Sequence, residues 1–152
     1  IGYTGPLGGH GGNKSVKIDI SRSEKMEFEP ILQPAIISYT DLEPYNLLCY
    51  PLAEVFIEKM RTIQQRTQAR DLYDIWYLME YHDMELNDFI PEYLSKCELK
   101  GIEGKKLLES LENKLAIFKG QWNKALQDQI KDLPDFDQVV REVSRAFKRI
   151  SF

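Results

Sequence analysis

At Pro51 the hydrophobic pattern of the chain changes period, and that change most constrains its fold. After it, Leu52, Val55, Phe56, Met60 and Ile63 recur every three or four residues, as one face of a helix does. Before it, Val16, Ile18 and Ile20 alternate with Lys17 and Asp19, the two-residue period of a half-buried strand. Residues 1–5 and 15–21 read as two strands around a glycine-rich connection, Gly5 to Asn13. Residues 35–39 and 45–50 are expected to add further strands beyond the loop punctuated by Pro30 and Pro34. Strands first and helices after reads as an α+β chain.

Helical punctuation continues to the end. Pro51 suits the first turn of the first helix, and Glu54 and Glu58 favour its positive N-terminal end. Leu72, Ile75, Trp76, Leu78 and Met79 mark a second run. Asn87 or Asp88 can cap a helix to Leu99, with Pro91 near its start and Gly101 past its end. The next is expected from Leu107 through Leu108, Leu111, Leu115 and Phe118, closed by Gly120, and a short one holds Trp122, Leu126 and Ile130. Leu133-Pro134 breaks the pattern, and Asp135 or Asp137 caps a last helix. Its inner face is Val139, Val140, Val143, Phe147 and Ile150. There is no internal repeat.

With 152 residues, 43% of them hydrophobic, the chain fits one domain or one with a small annex. A chain of this size buries about 70% of its unfolded surface without staples. No apolar run approaches the ~20 residues of a membrane span. Cys49 and Cys97 have no zinc spacing, and with only His10 and His82 beside them a His/Cys metal site is excluded. Two ordinary thiols point to a cytoplasmic protein, and any metal must be held by carboxylates. The chain opens without Met at Ile1-Gly2-Tyr3, so a piece of a longer protein is expected.

The net charge of −4 argues against a general nucleic-acid-coating surface. One stretch is locally positive: residues 59–74 carry Lys59, Arg61, Arg66 and Arg70 against Asp71 and Asp74. If the helix ran on unbroken, Lys59, Arg66 and Arg70 would lie within about 40° of one another, at 100° per residue. Three cations on one face would make a rail for a triphosphate. The plain alternative is a solvated face, with Arg70 and Asp74 as an ordinary pair one turn apart. Asp19, on the open face of its strand, is a place for a divalent-metal carboxylate, although solvated strand faces often carry charge. The glycine-rich loop lacks the GxxxxGK[ST] order of a P-loop and reads as a hairpin tip, with His10 solvated. Trp76 and Tyr77 read as core and rim, and His82 as a helix-end imidazole. No Ser-His-Asp or Cys-His arrangement exists, and the C-terminal helices read as packing or a protein-binding surface.

Residues 16–21, residues 52–61, and Arg66 with the block Ala69-Arg70-Asp71-Leu72-Tyr73-Asp74 through Leu78 resemble the AbiEii/AbiGii toxin-like nucleotidyltransferases. The Trp122 segment and residues 133–137 are similar to that family's C-terminal end. The resemblance implies a place in the DNA polymerase beta-like superfamily, with residues 1–50 the C-terminal part of the catalytic sheet. Residues 51–152 would be a helical domain carrying nucleotide-binding motifs. It implies transfer of a nucleoside monophosphate from an NTP to an acceptor hydroxyl, with Mg²⁺ as cofactor. Asp19 matches the family's third metal carboxylate. Lys59, Arg66 and Asp71 match its later motifs, associated with nucleotide binding and catalysis, and Arg70 and Asp74 lie in the same block. Asp19 and Asp71 would then be catalytic, and Lys59, Arg66, Arg70 and Asp74 nucleotide-binding. An RNA (tRNA) or protein acceptor and a cognate antitoxin are implied as partners. Nothing before Asp19 supplies the family's Gly-Ser turn followed by Asp-x-Asp, so the chain alone is expected to be inactive in transfer. The rival expectation is a non-catalytic helical protein-interaction module. A nucleic-acid-binding regulator is disfavoured by the net charge and by the absence of a helix-turn-helix pattern.

Overall fold

A computed structural model describes residues 2–3, 14–15, 17–18, 20, 24–38 and 40–152. Among these, every strand precedes Pro51 and every helix follows it, so the chain is α+β. β1 (Gly2–Tyr3) pairs antiparallel with β2 (Lys14–Ser15), with Gly2 opposite Ser15. β3 (Ile31–Pro34) pairs antiparallel with β4 (Asn46–Cys49), with Leu32 opposite Leu48.

Two strand expectations change. Lys17, Ile18 and Ile20 belong to no strand and are exposed, while Val16 and Asp19 lie outside the described residues. An alternating apolar set becomes a half-buried strand only where a third strand or a helix face covers it. The second change moves a strand from the expected residues 35–39 to Ile31–Pro34, leaving Ile36 fully exposed. Pro34 is tolerated there because Ala35 N donates to Tyr45 O. By the alternation of an antiparallel ladder, position 34 then faces away from β4, where a missing N–H breaks nothing.

Six helices follow. α1 is Leu52–Gln65, α2 Ala69–Tyr81, α3 Ile90–Leu99, α4 Leu107–Glu112, α5 Leu115–Leu126 and α6 Phe136–Lys148. α1 and α2 form the centre: α1 packs on α2, α3 and α4, and α2 packs on α5 and α6. Phe56, Ile57, Met60 and Ile63 of α1, with Leu72 and Ile75 of α2, are wholly buried. At roughly 1.5–3 kcal/mol per large apolar side chain, these two helices supply much of the driving force for folding.

Pro51 is the N-cap of α1 rather than part of its first turn. A single turn of 3-10 helix, Leu86–Phe89, takes up Asn87 and Asp88, so neither caps α3. Pro91 opens α3 and Gly101 closes it at φ +64, with Ile102 N bonding Cys97 O at 2.9 Å and Gly101 N bonding Glu98 O at 3.0 Å. Asp135 caps α6, accepting from the backbone N–H groups of Asp137 and Gln138. Val139, Val143 and Phe147 are buried beneath it, with Val140 and Ile150 partly so.

Gly120 does not close a helix. The expected helix instead breaks at residues 113–114, and α5 runs through Gly120 and Trp122 to Leu126. Tertiary demand sets the break: Lys114 Nζ donates to Ile63 O and Gln64 O at 2.7 and 2.8 Å, capping the carbonyl end of α1. Burial lowers the pKa of that ammonium.

Candidate functional site

The site forms at the elbow between α1 and α2. Helical structure stops at Arg66, whose extended backbone (φ −136, ψ 170) caps α1, and resumes after the extended N-cap Gln68. The rail of cations that an unbroken helix would have made is therefore absent. The break turns Arg66 back onto the first turn of α2, where Asp71 lies fully buried. Arg66 Nε donates to Asp71 Oδ2 at 2.7 Å and Nη2 donates to Oδ1 at 3.0 Å, a bidentate fork. Lys59, two turns up α1, donates to Asp71 Oδ1 at 3.0 Å and pairs with Asp74 Oδ2 at 2.5 Å. Arg70 is not gathered in: its Nε donates to Gln68 Oε1, and the side chain is exposed.

Asp71 is thus an anionic hub for two cations. Burial pushes its pKa up, but the hydrogen bonds and charges of Arg66 and Lys59 outweigh that and hold it below the ordinary carboxylate value. Burial likewise works against the Lys59 ammonium, and Asp74 and Asp71 overcome it, raising its pKa. The Asp71 hydrogen bond raises Arg66 further. With both oxygens engaged and its proton affinity depressed, Asp71 is a poor general base and well suited to fixing Lys59 and Arg66 in place. Arg66 is the outward member, its side chain 45% exposed, while Asp71's is 1% exposed. Among the described residues, no acceptor is paired with its second terminal nitrogen, Nη1.

Mg²⁺ finds no fit among the described residues: no group of three His, Cys, Asp or Glu side chains is placed to hold a metal. Asp71 and Asp74 have cations where a metal would sit. Asp19 lies outside the described residues, as does His10. Trp76 is buried and Tyr77 is at the rim. Tyr77 is 39% exposed, with the Tyr73 and Tyr81 rings stacked against it at 5.9 and 4.8 Å. His82 caps the end of α2.

A second polar cluster escaped the sequence reading. Glu54 and Lys96 pair in the interior at 1% and 3% side-chain exposure, and Lys96 also holds Glu58 at 2.9 Å. Glu54 Oε2 accepts the backbone N–H groups of Glu27 and Phe28 at 2.9 and 3.0 Å, and Lys96 donates to Lys25 O. Ser95 Oγ donates to Glu27 at 2.8 Å. Together these tie residues 25–28 onto α1 and α3. Burial raises the Glu58 carboxyl, but Lys96 and Arg61 outweigh it and leave its pKa lowered. The cluster was visible as charge in the wrong place: Lys96 lies between buried Tyr93 and Cys97, and Glu54 two residues before buried Phe56.

No helix among the described residues is long and apolar enough to cross a membrane. No curated protein and no solved structure matches the chain. One family model does: that of the AbiEii nucleotidyl transferase toxin of type IV toxin–antitoxin systems, over residues 3–142. That match takes in most of the chain, including both central helices and the Lys59–Arg66–Asp71 elbow. The chain belongs to the AbiEii nucleotidyltransferase toxin family.

Proposed function

We propose that the chain is the nucleotide-binding, C-terminal portion of a toxin nucleotidyltransferase that moves a nucleoside monophosphate from an NTP to an acceptor hydroxyl, releasing pyrophosphate. The observation that carries this is a buried carboxylate, Asp71, holding two cations at a solvent-facing elbow. An ion pair made only for stability gains little over an apolar pair of similar volume. One that fixes a half-exposed guanidinium and an ammonium side by side gives a preorganised phosphate receptor. Arg66 and Lys59 would take non-bridging oxygens of the triphosphate, Asp71 would position both, and Asp74 would hold Lys59 until phosphate replaces it. Arg70, one turn from Asp74 and exposed, would reach the nucleotide only from outside the hub.

Residues 1–50 would then belong to the catalytic sheet and residues 51–152 to a helical domain. The Gly-Ser turn and the Asp-x-Asp carboxylates would come from sequence preceding residue 1, in a cytoplasmic protein with an antitoxin partner. Asp19 is the one metal ligand that the family resemblance assigns within this chain.

The test is incorporation of label from α-phosphate-labelled NTPs by a protein extended upstream to include Gly-Ser and Asp-x-Asp. Label should transfer to an acceptor, and Arg66→Ala and Asp19→Asn should each reduce it at least tenfold. Full transfer by both variants would refute the assignment.

A further inference from the structure

The last helix carries a charged face that nucleotide transfer at the elbow does not use. Arg141, Arg145, Lys148 and Arg149 recur at i, i+4, i+7 and i+8 along α6 and are all exposed. None of the four makes an ion pair or side-chain hydrogen bond among the described residues. Elsewhere Lys25, Lys59, Arg61, Arg66, Lys96, Lys106 and Lys119 each face a carboxylate. Complementing the helix dipole accounts for one or two cations in the last turn. It does not account for Arg141, two turns earlier, or for four cations with no intervening carboxylate on the outer face.

Between these side chains runs an open cleft lined by Arg141, Ser144, Arg145, Lys148 and Arg149, with no acidic and no apolar residue. On the opposite flank of Arg145 and Arg149, a second cleft contains Glu80, Glu85 and Glu142, so the positive surface is the outward one. Glu142 is engaged internally, accepting from Trp76 Nε1 at 2.6 Å and Gln138 Nε2 at 3.2 Å. The overall charge of −4 therefore conceals a segregated basic patch.

We propose that the outward face of α6 docks the sugar–phosphate backbone of a nucleic-acid strand, at a site that shares no residue with the Lys59–Arg66 elbow. From Arg141 to Arg149 the helix rises about 12 Å, at 1.5 Å per residue, so a single phosphate cannot engage both ends and a repeating anion can. Three of the four cations are arginines, whose planar fork grips phosphate oxygens in pairs. A protein partner would be expected to fill an apolar or aromatic pocket, and a membrane surface to meet an apolar helix face. The cleft offers neither.

The proposal extends the functional reading but does not rest on it, because strand binding needs no NTP and no transfer. The probe is a 12-nucleotide single-stranded RNA, titrated by fluorescence anisotropy from 50 to 200 mM salt. A matched duplex, inorganic polyphosphate, poly-glutamate and anionic vesicles are titrated in parallel. Neutralising three to four phosphates gives a log–log salt slope of about −2 to −3, at −0.7 per phosphate for single strands. The triple variant Arg141→Gln, Arg145→Gln, Lys148→Gln should weaken RNA binding at least tenfold and flatten the slope by about 2. Its circular dichroism and NTP affinity should not change. The control Lys100→Gln, Lys105→Gln, Lys124→Gln removes the same charge elsewhere and should leave RNA binding within about twofold. No RNA binding at 50 mM salt would overturn the proposal, as would equal losses in the two triple variants. Tighter binding to poly-glutamate, polyphosphate or vesicles than to either nucleic acid would assign the face to another partner.

Discussion

Asp71 shows how one buried carboxylate organises a surface. Replacing it with Asn leaves Lys59 and Arg66 facing a neutral partner, which should cost about 3 kcal/mol, the low end for breaking a buried pair because Arg66 stays partly solvated. The pH dependence has a definite sign. A pKa held below the ordinary 3.8 contributes stability that is complete above that value and is lost as pH falls through the folded-state value. Urea denaturation should therefore show the gap between wild type and Asp71→Asn constant near neutrality and closing below about pH 3.8. A gap independent of acid would mean that Asp71 is not the ionised hub. Asp74 competes with any phosphate for Lys59, so Asp74→Asn should tighten NTP binding, by up to about fivefold for a half-exposed pair. Weaker binding in that variant would give Asp74 a direct role with the nucleotide. Spacing grouped Lys59 and Arg66 with Arg70, and only the family resemblance added Asp71. The geometry was not legible: apolar periodicity gives two helical runs without the angle between them, and the extended backbone at Arg66 and Gln68 folds the cations onto Asp71 instead of stacking them.

The elements divide by whether local or tertiary forces set their limits. Where local chemistry decides, the sequence reading held: the Asp135 cap, the Gly101 closure and the apolar faces of α1, α2 and α6. It failed where distant groups intervene, as at residues 113–114, where Lys114 reaches the end of α1, and at Pro34, placed by its register against β4. Two glycines separate the cases experimentally. A β-carbon at Gly120 would meet nothing within 4 Å, so Gly120→Ala should stabilise α5 by about 0.5–1 kcal/mol. At Gly104 it would lie 2.6 Å from Leu94 Cδ2 and 3.3 Å from Tyr93 Cε1, above the Tyr93 hydroxyl bond to Gly104 O. Gly104→Ala should therefore destabilise by about 1–3 kcal/mol, and thermal unfolding of the pair should move in opposite directions. Lys96→Met tests the buried latch: removing one member of a buried pair should cost about 3–5 kcal/mol and speed amide exchange at Glu27 and Phe28. Unchanged exchange there would show that Glu54 alone holds the segment.

Across the whole molecule, a well-packed helical body lies beside short strands with little of their own to bury. Leu32, Leu47 and Leu48 on the β3–β4 ribbon are half to two-thirds exposed, while α1 and α2 hold side chains at zero exposure. Charge is divided as unevenly, with Lys59 and Arg66 paired to carboxylates at the elbow and four exposed cations sharing the outer side of the last helix. The count of acids and bases showed the first, since Lys59 to Asp74 is contiguous in sequence. It hid the second, because alternation with Glu142, Val143 and Phe147 dilutes the four α6 cations until the helix sorts them onto one side. Lys59 and Arg66, fixed by Asp71, form the proposed nucleotide receptor. Its most direct test is calorimetric titration of the chain with GTP, ATP, CTP and UTP, with and without Mg²⁺, beside Lys59→Ala and Arg66→Ala. Binding of at least one NTP should be saturable and weakened tenfold or more in each variant, since charge-assisted hydrogen bonds contribute about 1.5–3 kcal/mol each. Arg66→Ala leaves Asp71 with Lys59 and should lower the melting temperature without unfolding the chain, so affinity is compared at a temperature where both proteins are folded. Saturable binding unaffected by either substitution, or no binding by the wild-type chain, would contradict that assignment.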